Sequence, residues 1–140
     1  MTDIFTKKDM RYGGKPSDYY ILYEHVDSGK MFKSLADARG YAIEYCIKQH
    51  ERGQRITNRD GNYYDTNLID ARLFHKYRPD GTSLTYNQQS GKTKNVGYVY
   101  VRNPDQIYWR PANKKDSAWL NRDGRVKRRM TPKEIREEVW

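Results

Sequence analysis

The chain has 140 residues, 36% of them apolar, a mean hydropathy of −1.15 and a formal net charge of +9. That suffices for one domain with a modest core, and 13 Tyr against 3 Phe suit a sheet with partly wet faces rather than wholesale disorder. A single cysteine, Cys46, excludes an intrachain disulfide framework and Cys-based zinc fingers. No run approaches the ~18 apolar residues of a membrane span or a signal-peptide core, so a cytoplasmic protein without membrane contact is expected.

Residues 1–17 read as a flexible N-terminal arm and residues 18–140 as one α+β domain: a strand–helix unit, then a hairpin-rich antiparallel sheet and a short C-terminal helix. Asp18-Tyr-Tyr-Ile-Leu-Tyr-Glu-His-Val26 is rich in strand formers. Asp27-Ser-Gly-Lys30 reads as a turn and Met31-Phe32 as a short return strand. Ser34 with Asp37 three residues on is an acidic relative of the capping box. From Leu35 the apolar spacing is helical, with Leu35, Ala38, Ala42, Tyr45 and Cys46 on one face flanked by Ile43 and Ile47. Asp37, Glu44, Lys48 and Glu51 fall opposite, and Gly53 is a natural stop. The helix entry, with Phe32, Ser34, Ala36 and Ala38, resembles strand–helix modules of small bacterial and prophage proteins. The resemblance implies this local fold and no activity.

The word NRDG occurs at Asn58–Gly61 and again at Asn121–Gly124. Asn at the first position and Gly at the fourth suit a type I turn closing on a left-handed glycine. Arg78-Pro79-Asp80-Gly81 and Asn103-Pro104-Asp105-Gln106 are near-copies. All four are expected to be hairpin turns rather than catalytic or metal sites. Asn87–Asn95, which includes Gly91-Lys92-Thr93, reads as a polar loop. A phosphate-binding loop would need glycine where Tyr86 stands.

Around Asn103–Gln106, three-residue loop geometry would set Val101 opposite Trp109, Tyr100 opposite Arg110 and Arg102 opposite Tyr108. Alternation then gives a core face of Val99, Val101, Ile107 and Trp109, and an outer face of Tyr98, Tyr100, Arg102, Tyr108 and Arg110. The outer face admits two readings: a stacking platform for bases with guanidinium groups for phosphates, or ordinary cross-strand pairing on a wet sheet. The second NRDG hairpin would pair Leu120 with Val126 and Trp119 with Lys127. Its outgoing run Arg125-Val-Lys-Arg-Arg129 suits an edge strand, with Arg125, Lys127 and Arg129 pointing one way and Arg128 the other. Lys114 and Lys115 are expected on the loop before it. Thr131 as N-cap, Pro132 and Glu134 announce the terminal helix.

Charge follows this division. Residues 1–70 hold 11 Lys+Arg and 11 Asp+Glu; residues 71–140 hold 16 and 7, so the whole excess lies in the second half. One part of the molecule is therefore suited to a polyanion. The partner expected is DNA or RNA, or a ribonucleoprotein, bound without catalysis through Tyr98, Tyr100, Arg102, Tyr108, Arg110, Lys114, Lys115, Arg125, Lys127, Arg128 and Arg129. Two other classes are open: a small phage-type inhibitor that, by analogy with anti-CRISPR proteins, blocks a nucleic-acid-handling complex, and a structural or assembly protein. Cys46 and His50, four apart on the helix, would make a metal site if His25 or His75 joined them. The plainer reading is a buried thiol and a histidine favoured by the helix C-terminus. No cofactor fingerprint or triad spacing is present, so neither cofactor nor catalysis is expected.

Overall fold

The structure is a computed structural model that describes residues 4–10, 14–51, 66–76, 93–103 and 105–138. Asn58–Gly61, Arg78–Gly81, Gly53, Pro104 and most of the expected polar loop lie outside the described residues. Seven antiparallel strands form one sheet: β1 (Tyr19–His25), β2 (Lys30–Phe32), β3 (Thr66–His75), β4 (Thr93–Asn103), β5 (Gln106–Pro111), β6 (Ala118–Leu120) and β7 (Val126–Arg129). Their order is β2-β1-β3-β4-β5-β6-β7. Helix α1 (Leu35–Glu51) packs on one face and the short helix α2 (Pro132–Glu137) follows β7. The fold is thus α+β, as the sequence implies.

Helix α1 begins where Ser34 Oγ accepts from the Asp37 amide at 3.1 Å. It buries Ala38, Ala42, Ile43, Cys46 and Ile47 against Ile69, Val99, Val101, Ile107, Trp109 and Leu120. Each fully buried Ile or Val contributes roughly 1.5–3 kcal/mol relative to exposure. Two helix positions depart from the expected face. Tyr45 is half-buried at the margin, its ring 4.7 Å from that of His25. Arg39 is buried instead: its guanidinium lies 5.2 Å from the Trp109 ring centre, and Nε donates to Gly124 O at 2.8 Å. Burial lowers its pKa, and the ring and the carbonyl take the place of water.

That carbonyl belongs to the second NRDG. Gly124 N donates to Asn121 O at 2.9 Å, and Gly124 has φ +87°, so Asn121–Gly124 is the expected turn. The turn also docks on α1. A Cβ at Gly124 would run into Ala36 O and Gly40 N, and one at Gly40 would sit 2.6 Å from Asp123 O. Arg122 closes the contact with Glu44 at 2.6 Å. Glycine inside a helix costs about 1 kcal/mol relative to alanine; at Gly40 it admits the turn.

At the N-terminus, where a flexible arm was expected, residues 4–10 lie on the sheet with Phe5 and Met10 buried beside Tyr19, Ala71 and Leu73. Lys94 holds them. Its Nζ donates to Ile4 O at 2.8 Å and pairs with Asp9 at 2.9 Å. Asp9 also accepts from the Thr6 amide, and these bonds hold its carboxyl below the usual range. Lys94 belongs to β4, which starts at Thr93, so the end of the expected loop is strand.

Register differs from expectation in both hairpins of the second half. Asn103 pairs with Gln106 across a shorter connection, and a bulge between Val101 and Asn103 sets Val101 opposite Ile107 and Tyr100 opposite Tyr108. The shift is two residues, so both faces keep the expected membership. Leu120 does pair with Val126, but an irregularity beside it brings Trp119 opposite Arg128, not Lys127.

Candidate nucleic-acid interface

The sheet face away from α1 carries the ring and guanidinium side chains. On β4 and β5 the rings of Tyr100 and Tyr108 stack at 5.0 Å and 4°, and Tyr108 meets Trp119 of β6 edge-on at 5.7 Å. Arg110 caps one end, with Nη1 donating to Tyr100 Oη at 2.9 Å and its guanidinium 5.8 Å from that ring. Arg128 of β7 caps the other, 5.7 Å from the Trp119 ring. The row therefore crosses four strands, about 14 Å at ordinary strand spacing. A hollow of about 220 Å³ beside Tyr98, Arg110 and Pro111 adjoins one end. Another of about 210 Å³, lined by Trp119, Lys127 and Arg128 among others, adjoins the other.

Helix α2 meets the β6–β7 end of this row through Glu134. Its capping box is complete: Thr131 Oγ1 accepts from the Glu134 amide at 3.2 Å and Glu134 accepts from the Thr131 amide at 2.9 Å. The same Glu134 carboxylate receives both Arg128 Nη atoms at 2.7 Å and Trp119 Nε1 at 3.0 Å. Chiefly through Arg128, its pKa falls far below the carboxylate range, and that of Arg128 rises. Glu138 pairs with Arg102 at 2.6 Å. Tyr108 is 2% exposed, and burial, with Glu138 nearby, pushes its phenol above the usual range.

Each expected site residue can now be placed. Tyr98, Tyr100 and Arg110 share the outer face and are half-buried. Tyr108 is on that face but enclosed, so it supports the row and presents no surface to a ligand. Arg102 is held by Glu138. Lys114 and Lys115 lie exposed on a 3-10 turn, Lys114–Asp116, capped by Asn113. Arg125 and Arg129 are exposed, side chains at 78% and 75%, with Asp123 and Asp116 as distant partners at 3.7 and 3.8 Å. The irregular β6–β7 pairing regroups the basic run. Lys127 joins Arg128 in the hollow beside Trp119, whereas Arg129 joins Val126 in a groove on the α1 side. The expected alternation of Lys127 with Arg128 is thereby lost. Trp119 was missed as a platform residue, although its position between Ala118 and Leu120 signals the opposite face.

The far end of the same face pairs its charges within the sheet. Glu24 on β1 is paired with Arg72 on β3, and Asp70, across from Glu24, has its pKa pushed up mainly by burial.

Cys46 and His50 do not converge on a third ligand. The Cys46 thiol is buried and receives Asn67 Nδ2; Asn67 Oδ1 in turn accepts from His25 Nε2 at 2.7 Å, and His25 Nδ1 shares a hydrogen bond with Ser28 Oγ at 2.7 Å. This network stitches α1 to β1 and β3. Among the described residues no three His, Cys, Asp or Glu side chains gather in a metal-holding group, and no helix is long and apolar enough to cross a membrane. The chain matches no protein-family model, curated protein or solved structure.

Proposed function

We propose that this protein is a non-enzymatic binder of nucleic acid, DNA or RNA, free or within a ribonucleoprotein, acting through the outer face of β4–β7. The observation that carries the reading is the unbroken row Arg110–Tyr100–Tyr108–Trp119–Arg128, which ends beside the exposed cations of β7. Half-exposed rings offer stacking surfaces to unpaired bases. Lys127, Arg128, Arg125 and the lysines of the 3-10 turn offer phosphate contacts. A duplex hides its base faces, so single strands are the preferred form.

Fluorescence anisotropy with labelled single strands and duplex, over a salt series, tests the reading. Three or four phosphate contacts give a log–log slope on the order of −2 to −3 on single strands. Arg110→Ala with Lys127→Ala should flatten the slope by about one to two and weaken binding evenly across sequences. Salt-insensitive binding, or a double variant with wild-type affinity, would remove the row from the interface. One observation favours the inhibitor alternative: Glu134 and Glu138 already occupy Arg128 and Arg102, which reduces the charge offered to free nucleic acid. Under that alternative, association requires the protein component of the complex, and nuclease treatment leaves it intact.

A further inference from the structure

We infer that the β7 edge and the groove beside it on the α1 side dock an extended, acidic and apolar segment of a partner protein, added to the sheet as an eighth strand. The groove opens on the face of the sheet opposite the Tyr/Arg row, while the edge cations Lys127 and Arg128 are common to this inference and the nucleic-acid reading.

Four observations converge. First, β7 ends the sheet: among the described residues it pairs with β6 alone, and all four of its residues are exposed. Its inner edge is used, as Met130 N donates to Ser117 O at 2.9 Å. On the Arg129 carbonyl, in place of a strand, lies the Arg128 guanidinium at 3.3 Å. An edge of this kind is a template for another strand. Second, the adjoining groove, about 480 Å³, has apolar walls that include Leu35, Val96, Trp109, Ala118 and Val126. Third, of the three large apolar side chains exposed among the described residues, Ile4 at 40% and Val126 at 49% both line it. Exposed apolar surface gathered in one hollow marks an interaction site more than scattered residues do. Fourth, the surroundings are basic. Arg39 and Arg129 line the groove, Lys114 and Lys115 stand on the turn at its rim, and Asp116 is the acid among the lining residues.

Charge selects the occupant. A second copy pairing β7 with β7 would set Lys and Arg against Lys and Arg, the arrangement that protects edges from self-association. The same charges favour an acidic strand. Nucleic acid lacks the apolar groups that the walls would cover, and the Trp109 ring, 4% exposed and covered by Arg39, offers no stacking surface. Alternation divides the work: apolar side chains of the added strand enter the groove beside Val126, and carboxylates turn toward Lys127 and Arg128.

The test uses a fluorescein-labelled eight-residue peptide alternating glutamate with valine or leucine. Controls replace its glutamates by lysine or two central residues by proline, which cannot donate to a ladder. The full chain should bind the acidic peptide saturably, and both controls at least about tenfold more weakly. Val126→Asp, at a surface position where folding is retained and checked by circular dichroism, should weaken the acidic peptide about tenfold and single-stranded oligonucleotide binding by no more than about twofold, the effect of one added charge beside Lys127. Equal binding of the lysine peptide, tolerance of the prolines, or an inert Val126→Asp would overturn the inference. So would an equal loss of oligonucleotide binding in Val126→Asp, which would assign the groove to nucleic acid, or a wild-type dimer in light scattering that Val126→Asp dissociates, which would assign it to a second copy.

Discussion

At one edge of the sheet, β2 carries Lys30 folded back over the rings of Phe32 and Tyr41, 5.7 and 4.9 Å from their centres. At the other edge, β7 holds Lys127, Arg128 and Arg129 outward beside an exposed Val126. Both edges are short and basic, and both follow a turn with a left-handed glycine, Gly29 at φ +74° and Gly124 at φ +87°. They differ in what lies around them. The Gly29 turn stands clear, and its edge spends its cation on its own rings. The Gly124 turn is clamped to α1, and on β7 Glu134 holds Arg128 while Lys127 and Arg129 stay exposed. Basic edges are thus not equivalent: one is finished within the fold, the other is held rigid and unfinished.

The largest effect separates the two turns. A side chain at Gly124 meets α1 backbone as well as an unfavourable φ, so Gly124→Ala should cost upwards of about 3 kcal/mol. Gly29→Ala meets nothing within 4 Å and should cost about 1 kcal/mol from its φ alone. Urea denaturation of both variants measures the difference, and equal losses would break the contrast. Next in size is binding. Lys127→Ala should lower affinity for a single-stranded oligonucleotide several-fold at low salt, whereas Lys30→Ala should leave it unchanged. Anisotropy distinguishes them, and a loss in Lys30→Ala would mean that both edges serve the ligand.

Acid sharpens the contrast further. The Glu134 carboxyl titrates below its unfolded value, so its contribution is present above the ordinary carboxylate pKa and is lost as pH falls through the depressed one. The Trp119 indole N–H resonance should therefore hold its position down to about pH 4 and move only in stronger acid. In Glu134→Gln that acid step should vanish. The smallest effect is Arg122→Ala. It removes a half-exposed pair with Glu44 and should cost under about 1 kcal/mol in the same denaturation series.

What the sequence made legible was local. The cap at Ser34, the box Thr131–Glu134 and the alternation of β4 and β5 each depend on residues a few positions apart, and each appears as read. The Tyr/Arg face was legible for the same reason. What escaped depends on elements distant in the chain. Nothing near Gly40 announces that the Asn121–Gly124 turn will press on it, so the burial of Arg39 beneath that turn was not legible. Alternation put Tyr108 on the outer face but could not tell that it would be buried there. The bulge after Val101 shifted partners without exchanging faces, because face membership survives a two-residue slip and pairing does not. The irregularity at Leu120 is a one-residue shift, and it moved Lys127 to the side of Arg128, which redrew the basic patch.

The central claim is that the β4–β7 outer face, with its open edge, is the ligand surface and the β1–β2 edge is not. Amide and indole shift mapping of the labelled full chain, titrated with a single-stranded oligonucleotide, tests it most directly. The expected result is a contiguous set of shifts over Tyr98, Tyr100, Arg110, the Trp119 indole and Lys127–Arg128, with Lys30–Phe32 unmoved. Shifts centred on Lys30–Phe32, or none at saturating oligonucleotide, would contradict the account.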